Sequence, residues 1–218
     1  MKAMLYADWR SVRRSVKAIL WVVLVMSVAA SAFGGVMVVP FMLPMLSLMF
    51  PATLMNTDHA YGWDKLSLTL PVSRRDVVGS KFTVSLLVNL AAFALSTVLI
   101  LIFTAVNRDS SLAENLFSLI ACEAAGLLLM GVQFVLILKF GTERGRYLLM
   151  GVVWVPIILI NVLKNHPAVN SLVKAVGGMD SWPMTRLAGF IAGMLLLCAA
   201  AYVLCWHIGN RIYEKREF

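Results

Sequence analysis

The sequence predicts an all-α polytopic membrane protein: six transmembrane helices preceded by an N-terminal amphipathic helix lying in the interface. Three observations carry this. Of 218 residues, 61% are hydrophobic and 14% charged, whereas soluble domains run at about 45–50% apolar and ~25% charged. Apolar runs recur at about the 20 residues that carry a helix across ~30 Å of hydrocarbon. Lys and Arg are distributed unevenly between the connections, as they are when loops face different sides of a bilayer. At this length the chain reads as a single membrane domain, 1–218, with no room for a separate soluble one.

The elements follow in chain order. In residues 1–17, Leu5, Trp9, Val12 and Val16 share one helical face, and Lys2, Arg10, Arg14 and Lys17 lie elsewhere. That pattern suits a helix in the headgroup region, its Trp at the interface and its cations near anionic lipid. A signal peptide is the rival reading, because Ala30, Ser31 and Ala32 look like a cleavage site after an apolar run; a 17-residue lead is long for one. The apolar stretch from Ala18 to Met55 is interrupted only by Gly34, Gly35 and Pro40. As one helix it would measure roughly 57 Å, so it reads as a tight hairpin of spans 18–35 and 37–56. A polar segment, 57–81, follows. Further spans are expected at 82–106, 115–138, 147–163 and 185–208. The longest outer segment is 164–184, with a short helix expected near 168–176.

With the N-terminus inside, four cations fall outside, Arg108, Lys164, Lys174 and Arg186, and the other fifteen of the nineteen Lys and Arg fall inside. The net charge of +8 is thus mainly a topology signal, with both termini cytoplasmic. Nucleic-acid binding is excluded, since it needs a basic face on a folded soluble domain. Cys122, Cys198 and Cys205 all fall within spans, without disulfide partners outside or zinc-ligand spacing.

Segment 57–81 is the most informative stretch. Residues 58–69 predict a short amphipathic helix with Tyr61, Leu66, Leu68 and Leu70 as apolar contacts and Asp64 and Lys65 exposed. Gly62 weakens it by ~1 kcal/mol relative to Ala. Pro71 disfavours helix at Leu70. Ser73 with Asp76 three residues on reads as a capping box, so a new helix starts at Ser73 and runs into the third span. The N-terminal Met-Lys-Ala-Met-Leu-Tyr-Ala-Asp-Trp, together with Trp63-Asp64-Lys65-Leu66, Leu70-Pro71-Val72-Ser73-Arg74-Arg75-Asp76 and Lys81, resembles the small six-span type-2 permeases of ATP-binding-cassette (ABC) transporters. Within them, the pattern is similar to exporters of phenol-soluble modulins and antimicrobial peptides.

The resemblance implies a permease in the bacterial cytoplasmic membrane that moves amphipathic or antimicrobial peptides, or hydrophobic drugs, out of the cell. It implies that 1–17 is the elbow helix. It makes 57–81 a coupling segment that docks a separate ATPase through Trp63, Asp64, Lys65, Leu66, Leu70, Pro71, Ser73, Arg74, Arg75 and Asp76. It also implies two ATPase copies and a second permease, identical or a sister. The chain carries no G-x-x-x-x-G-K-[ST] phosphate loop; Gly79-Ser80-Lys81 resembles only its tail. No cofactor is therefore expected in this chain, Mg-ATP belongs to the partner, and the chain is not itself an enzyme. The alternative is a membrane scaffold or sensor that docks a cytoplasmic partner without transporting anything.

For the substrate pathway, prolines in corresponding spans of two halves point to irregular helices near a binding site. Pro40, Pro44 and Pro51 fall in the second span and Pro156 in the fifth. Met42, Met45 and Met49 share a face of the second span, and thioethers adapt to varied apolar partners; packing or lipid contact is the plainer role. Glu123 is an acid inside the fourth span, costly enough to require the protein interior. Either a site for a substrate cation or a buried hydrogen bond would hold it there. Asn89 and Gln133 lie at similar depth and are expected to bond one another. Gly189 with Gly193, and Ser27 with Ser31 and Gly35, form small-residue faces for close helix packing. His59, His166 and His207 are too scattered for a metal site, and no catalytic constellation is present.

Overall fold

The computed structural model describes residues 6, 8–10, 13, 17, 21–22, 25, 39–62, 73–106, 112–163 and 184–215. Its continuous helices are α1 Val39–Ser47, α2 Met49–Ala60, α3 Arg74–Val106, α4 Leu112–Phe140, α5 Thr142–Leu163 and α6 Met184–Glu214. The described residues between Tyr6 and Val25 are helical too, and no strand occurs among the described residues. Most of the expected first span, and all of the expected outer helix 168–176, lie outside them. Three helices are long and apolar enough to cross a membrane, within Arg74–Ala105, Glu114–Phe140 and Gly189–Glu214.

The second expected span is broken. Pro44 sits inside α1 and has no N–H to donate, so the regular ladder is already weakened there. At the end of α1 the Leu48 N–H bonds the Met45 carbonyl, three residues back, at 3.2 Å. Ser47 Oγ donates to the freed Pro44 carbonyl at 2.6 Å. The chain turns at Leu48 and resumes as α2, which runs past residue 56 to Ala60. There Gly62 takes a φ of +63°, a left-handed conformation suited to ending a helix. The short helix expected over 58–69 therefore does not begin at Asp58: residues 58–60 belong to α2, and Gly62 stops that helix rather than weakening a new one.

The start of α3 is as the sequence predicts. Ser73 Oγ accepts the Asp76 N–H at 3.1 Å, and Asp76 places its charge at the positive end of the helix dipole. The 33 residues of α3 span roughly 50 Å, well beyond ~30 Å of hydrocarbon. Its first two turns thus project toward the connection with α2.

The core lies in this same half. Phe82 of α3 stacks on Phe134 of α4, centroids 4.2 Å apart, and meets Tyr202 of α6 at 5.5 Å. The buried Tyr202 hydroxyl donates to the Phe82 carbonyl at 2.9 Å. Val78, Met130, Ile137 and Leu138 complete the cluster. Close approach of α4 and α6 depends on Gly131, where an added Cβ would sit 3.2 Å from Tyr202, and on Gly209, 3.1 Å from Leu138. At Gly189 and Gly193, the expected packing face, no described residue lies within 4 Å of an added Cβ. Helices α4 and α5 are joined through Gly141 alone, at φ +87°. Residues 139–146, expected as a loop, are helical on both sides of it. Gly145 lies against the Ile137 backbone, where a Cβ would come within 2.9 Å.

Candidate functional site

Of the predicted docking residues, Trp63, Asp64, Lys65, Leu66, Leu70 and Pro71 lie outside the described residues. Ser73, Arg74, Arg75 and Asp76 form the rim of α3, Ser73 and Arg75 exposed and Arg74 and Asp76 half-buried. Arg75 Nε contacts Glu214 Oε1 at 2.5 Å, and Arg74 Nη1 donates to the Glu214 carbonyl at 2.9 Å. The rim is thus tied to the end of α6, whose last carbonyls have no intrahelical donors. An exposed pair of this kind contributes little to stability. Its value here is positional.

Beneath the rim lies a cluster that the sequence reading did not assemble. Lys81 is 2% exposed, Asp58 8% and Asp8 5%. The Lys81 ammonium is paired with the Asp58 carboxylate and lies 3.9 Å from Asp8 Oδ1. Ser80 Oγ donates to Asp8 Oδ2 at 2.6 Å. One ammonium therefore holds three pieces of chain together: the N-terminal helical segment, the end of α2 and the start of α3. Asp58 is turned inward, and Lys81 is committed to carboxylates inside a helix, so Gly79-Ser80-Lys81 has no phosphate-loop geometry.

The pathway candidates lie deeper. Asn89 Nδ2 donates to Ser47 Oγ at 2.6 Å, which fixes the break in α1–α2 against α3. Asn89 Oδ1 and Gln133 Oε1 both lack partners among the described residues, so the expected Asn89–Gln133 bond is not made. Asn89 bonds instead with the residue at the helix break, where Pro44 has disturbed the ladder. At 1.5 Å per residue along α4, Glu123 lies roughly 16 Å beyond Phe134. Glu123 is 3% exposed, and neither carboxylate oxygen has a hydrogen-bond partner among the described residues. It faces the protein interior, as expected, without the buried hydrogen bond. Pro44 is buried and Met42 half-buried; Met45 and Met49 are exposed. Helix α5 continues through Pro156, so only the α1–α2 side is interrupted. Among the described residues no group of His, Cys, Asp or Glu could hold a metal.

No curated protein and no solved structure gives a significant match to the chain. The sequence profile of the ABC-2 family transporter proteins matches residues 3–214, taking in the N-terminal segment, the clamped connection and the described helices α1 to α6. By that match over nearly its full length, the chain belongs to the ABC-2 family of transporter proteins.

Proposed function

We propose that this chain is the permease subunit of an ABC exporter in the bacterial cytoplasmic membrane, with six spans, an elbow helix and cytoplasmic termini. It moves amphipathic or antimicrobial peptides, or hydrophobic drugs, outward. The energy comes from Mg-ATP hydrolysed by two copies of a separate ATPase, and the permease works beside a second permease copy. Residues 63–76 dock the ATPase. Glu123, Met42, Met45, Met49, Pro44 and Pro156 border the substrate route.

The observation that supports this best is the buried Asp58–Lys81 pair. It clasps both stems of the segment 63–72, so a push on that segment is delivered to α2 and α3 together. The helix break at Ser47, tied to Asn89, gives the membrane end of that lever a place to bend. The two arginines are poor test sites, because their reversal would also detach Glu214. Asp64→Lys is the cleaner change, and reversal at a partly buried charge contact costs about 2–5 kcal/mol. In detergent, wild-type permease should pull down the ATPase and Asp64→Lys should recover far less. Equal recovery removes Asp64 from the contact. Hydrolysis by the complex that no peptide or drug stimulates would favour the scaffold reading instead.

A further inference from the structure

A groove of about 480 Å³ runs along one face of α6, through Ala200, Val203, Leu204, His207, Ile208 and Arg211. The spacing of three and four keeps these residues on one stripe. The size lies within the ~300–1,000 Å³ of small-molecule sites. Its lining changes character along the helix. Ala200, Val203 and Leu204 form an apolar wall, and His207 and Arg211 supply donors at the far end, roughly 16 Å away.

The level of that polar end is set independently. Arg211 is in the last turn of α6, one turn before Glu214, which is bound to Arg75 at the start of α3. Trp206, half-buried beside His207 with ring centroids 4.9 Å apart, is a residue type enriched at the membrane–water boundary. Arg211 and His207 are both exposed, and Arg211 makes no ion pair among the described residues. Glu214, one turn further along α6, is engaged by Arg75.

From this geometry we infer that the face of α6 binds one anionic phospholipid. Its phosphate is held by the Arg211 guanidinium and the His207 ring, and an acyl chain lies along Leu204, Val203 and Ala200. A planar guanidinium matches phosphate geometry, and basic pockets beside apolar helices at the membrane boundary select anionic head groups.

Native mass spectrometry of the full chain in detergent tests it, with phosphatidylglycerol and phosphatidylcholine of equal chain length as probes. The wild type should retain phosphatidylglycerol preferentially. Arg211→Gln should lower that retention about fivefold, Arg211→Lys should restore only part of it, and His207→Leu is an independent variant that should also lower it. Arg144→Gln, at an exposed cation on α5, should leave it unchanged. Equal retention of the two lipids, no loss in Arg211→Gln, or full displacement by inorganic phosphate would each overturn the assignment. Lipid retention is read without the ATPase, so this proposal and the docking of 63–76 stand or fall separately.

Discussion

With Lys81→Met, Asp8 and Asp58 keep their burial and lose their cation. Breaking a buried ion pair by removing one partner costs about 3–5 kcal/mol, whereas replacing the whole cluster by uncharged groups of similar volume is often neutral. Lys81→Met should therefore lower the thermal midpoint in detergent sharply, and combining it with Asp8→Asn and Asp58→Asn should restore much of the loss. Undiminished stability in the single variant would mean that the ammonium does not hold these carboxylates. None of this was legible in the sequence. Asp8 lies 73 residues from Lys81, and Asp58 lies 23 from it. Each alone reads as a surface charge beside a membrane span, and no local pattern links them. Glu123 was easier, because one acid in an apolar run has to face inward whatever surrounds it.

At the scale of single elements, local chemistry was readable wherever it depends on neighbours in sequence. The Ser73 cap is such a case, since cap and amide are three residues apart. The break at Leu48 was only half visible: the prolines were plain, but the turn also needs Ser47 to satisfy Pro44 and Asn89 to satisfy Ser47. The corner between α4 and α5 shows the same limit, because Gly141 and Gly145 look ordinary until α5 is seen against the Ile137 backbone. Gly145→Val should force the two helices apart, since the closest facing atom, Ile137 Cα, is main chain and cannot rotate away. Overpacking of this kind typically costs about 1–3 kcal/mol. A lower melting temperature for Gly145→Val, with Gly151→Val unaffected because Gly151 faces open space, is the expected pair of results. Equal melting of both would remove the corner as a constraint.

For the molecule as a whole, the proposed topology places Ser73 and Leu112, both exposed, on opposite sides of the membrane at the two ends of α3 and its connection to α4. Single cysteines at these positions, in a chain whose Cys122, Cys198 and Cys205 are replaced, should label from opposite faces of intact cells; labelling of both from outside would reject six spans with an inner N-terminus. The all-helical class and the family were legible at this scale, because hydropathy and the 57–81 segment run through the whole chain. The helix contacts of α6 were not, since Gly189 and Gly193 offered a more obvious small-residue stripe than Gly209. The Asp8–Lys81 contact also has a consequence in time. Residues leave the ribosome in chain order, so Asp8 is made long before its ammonium partner. At about 5–20 residues per second, the N-terminal segment waits roughly 4–15 s for residue 81. During synthesis it must wait without its final anchor, and it can dock only when the first turns of α3 arrive.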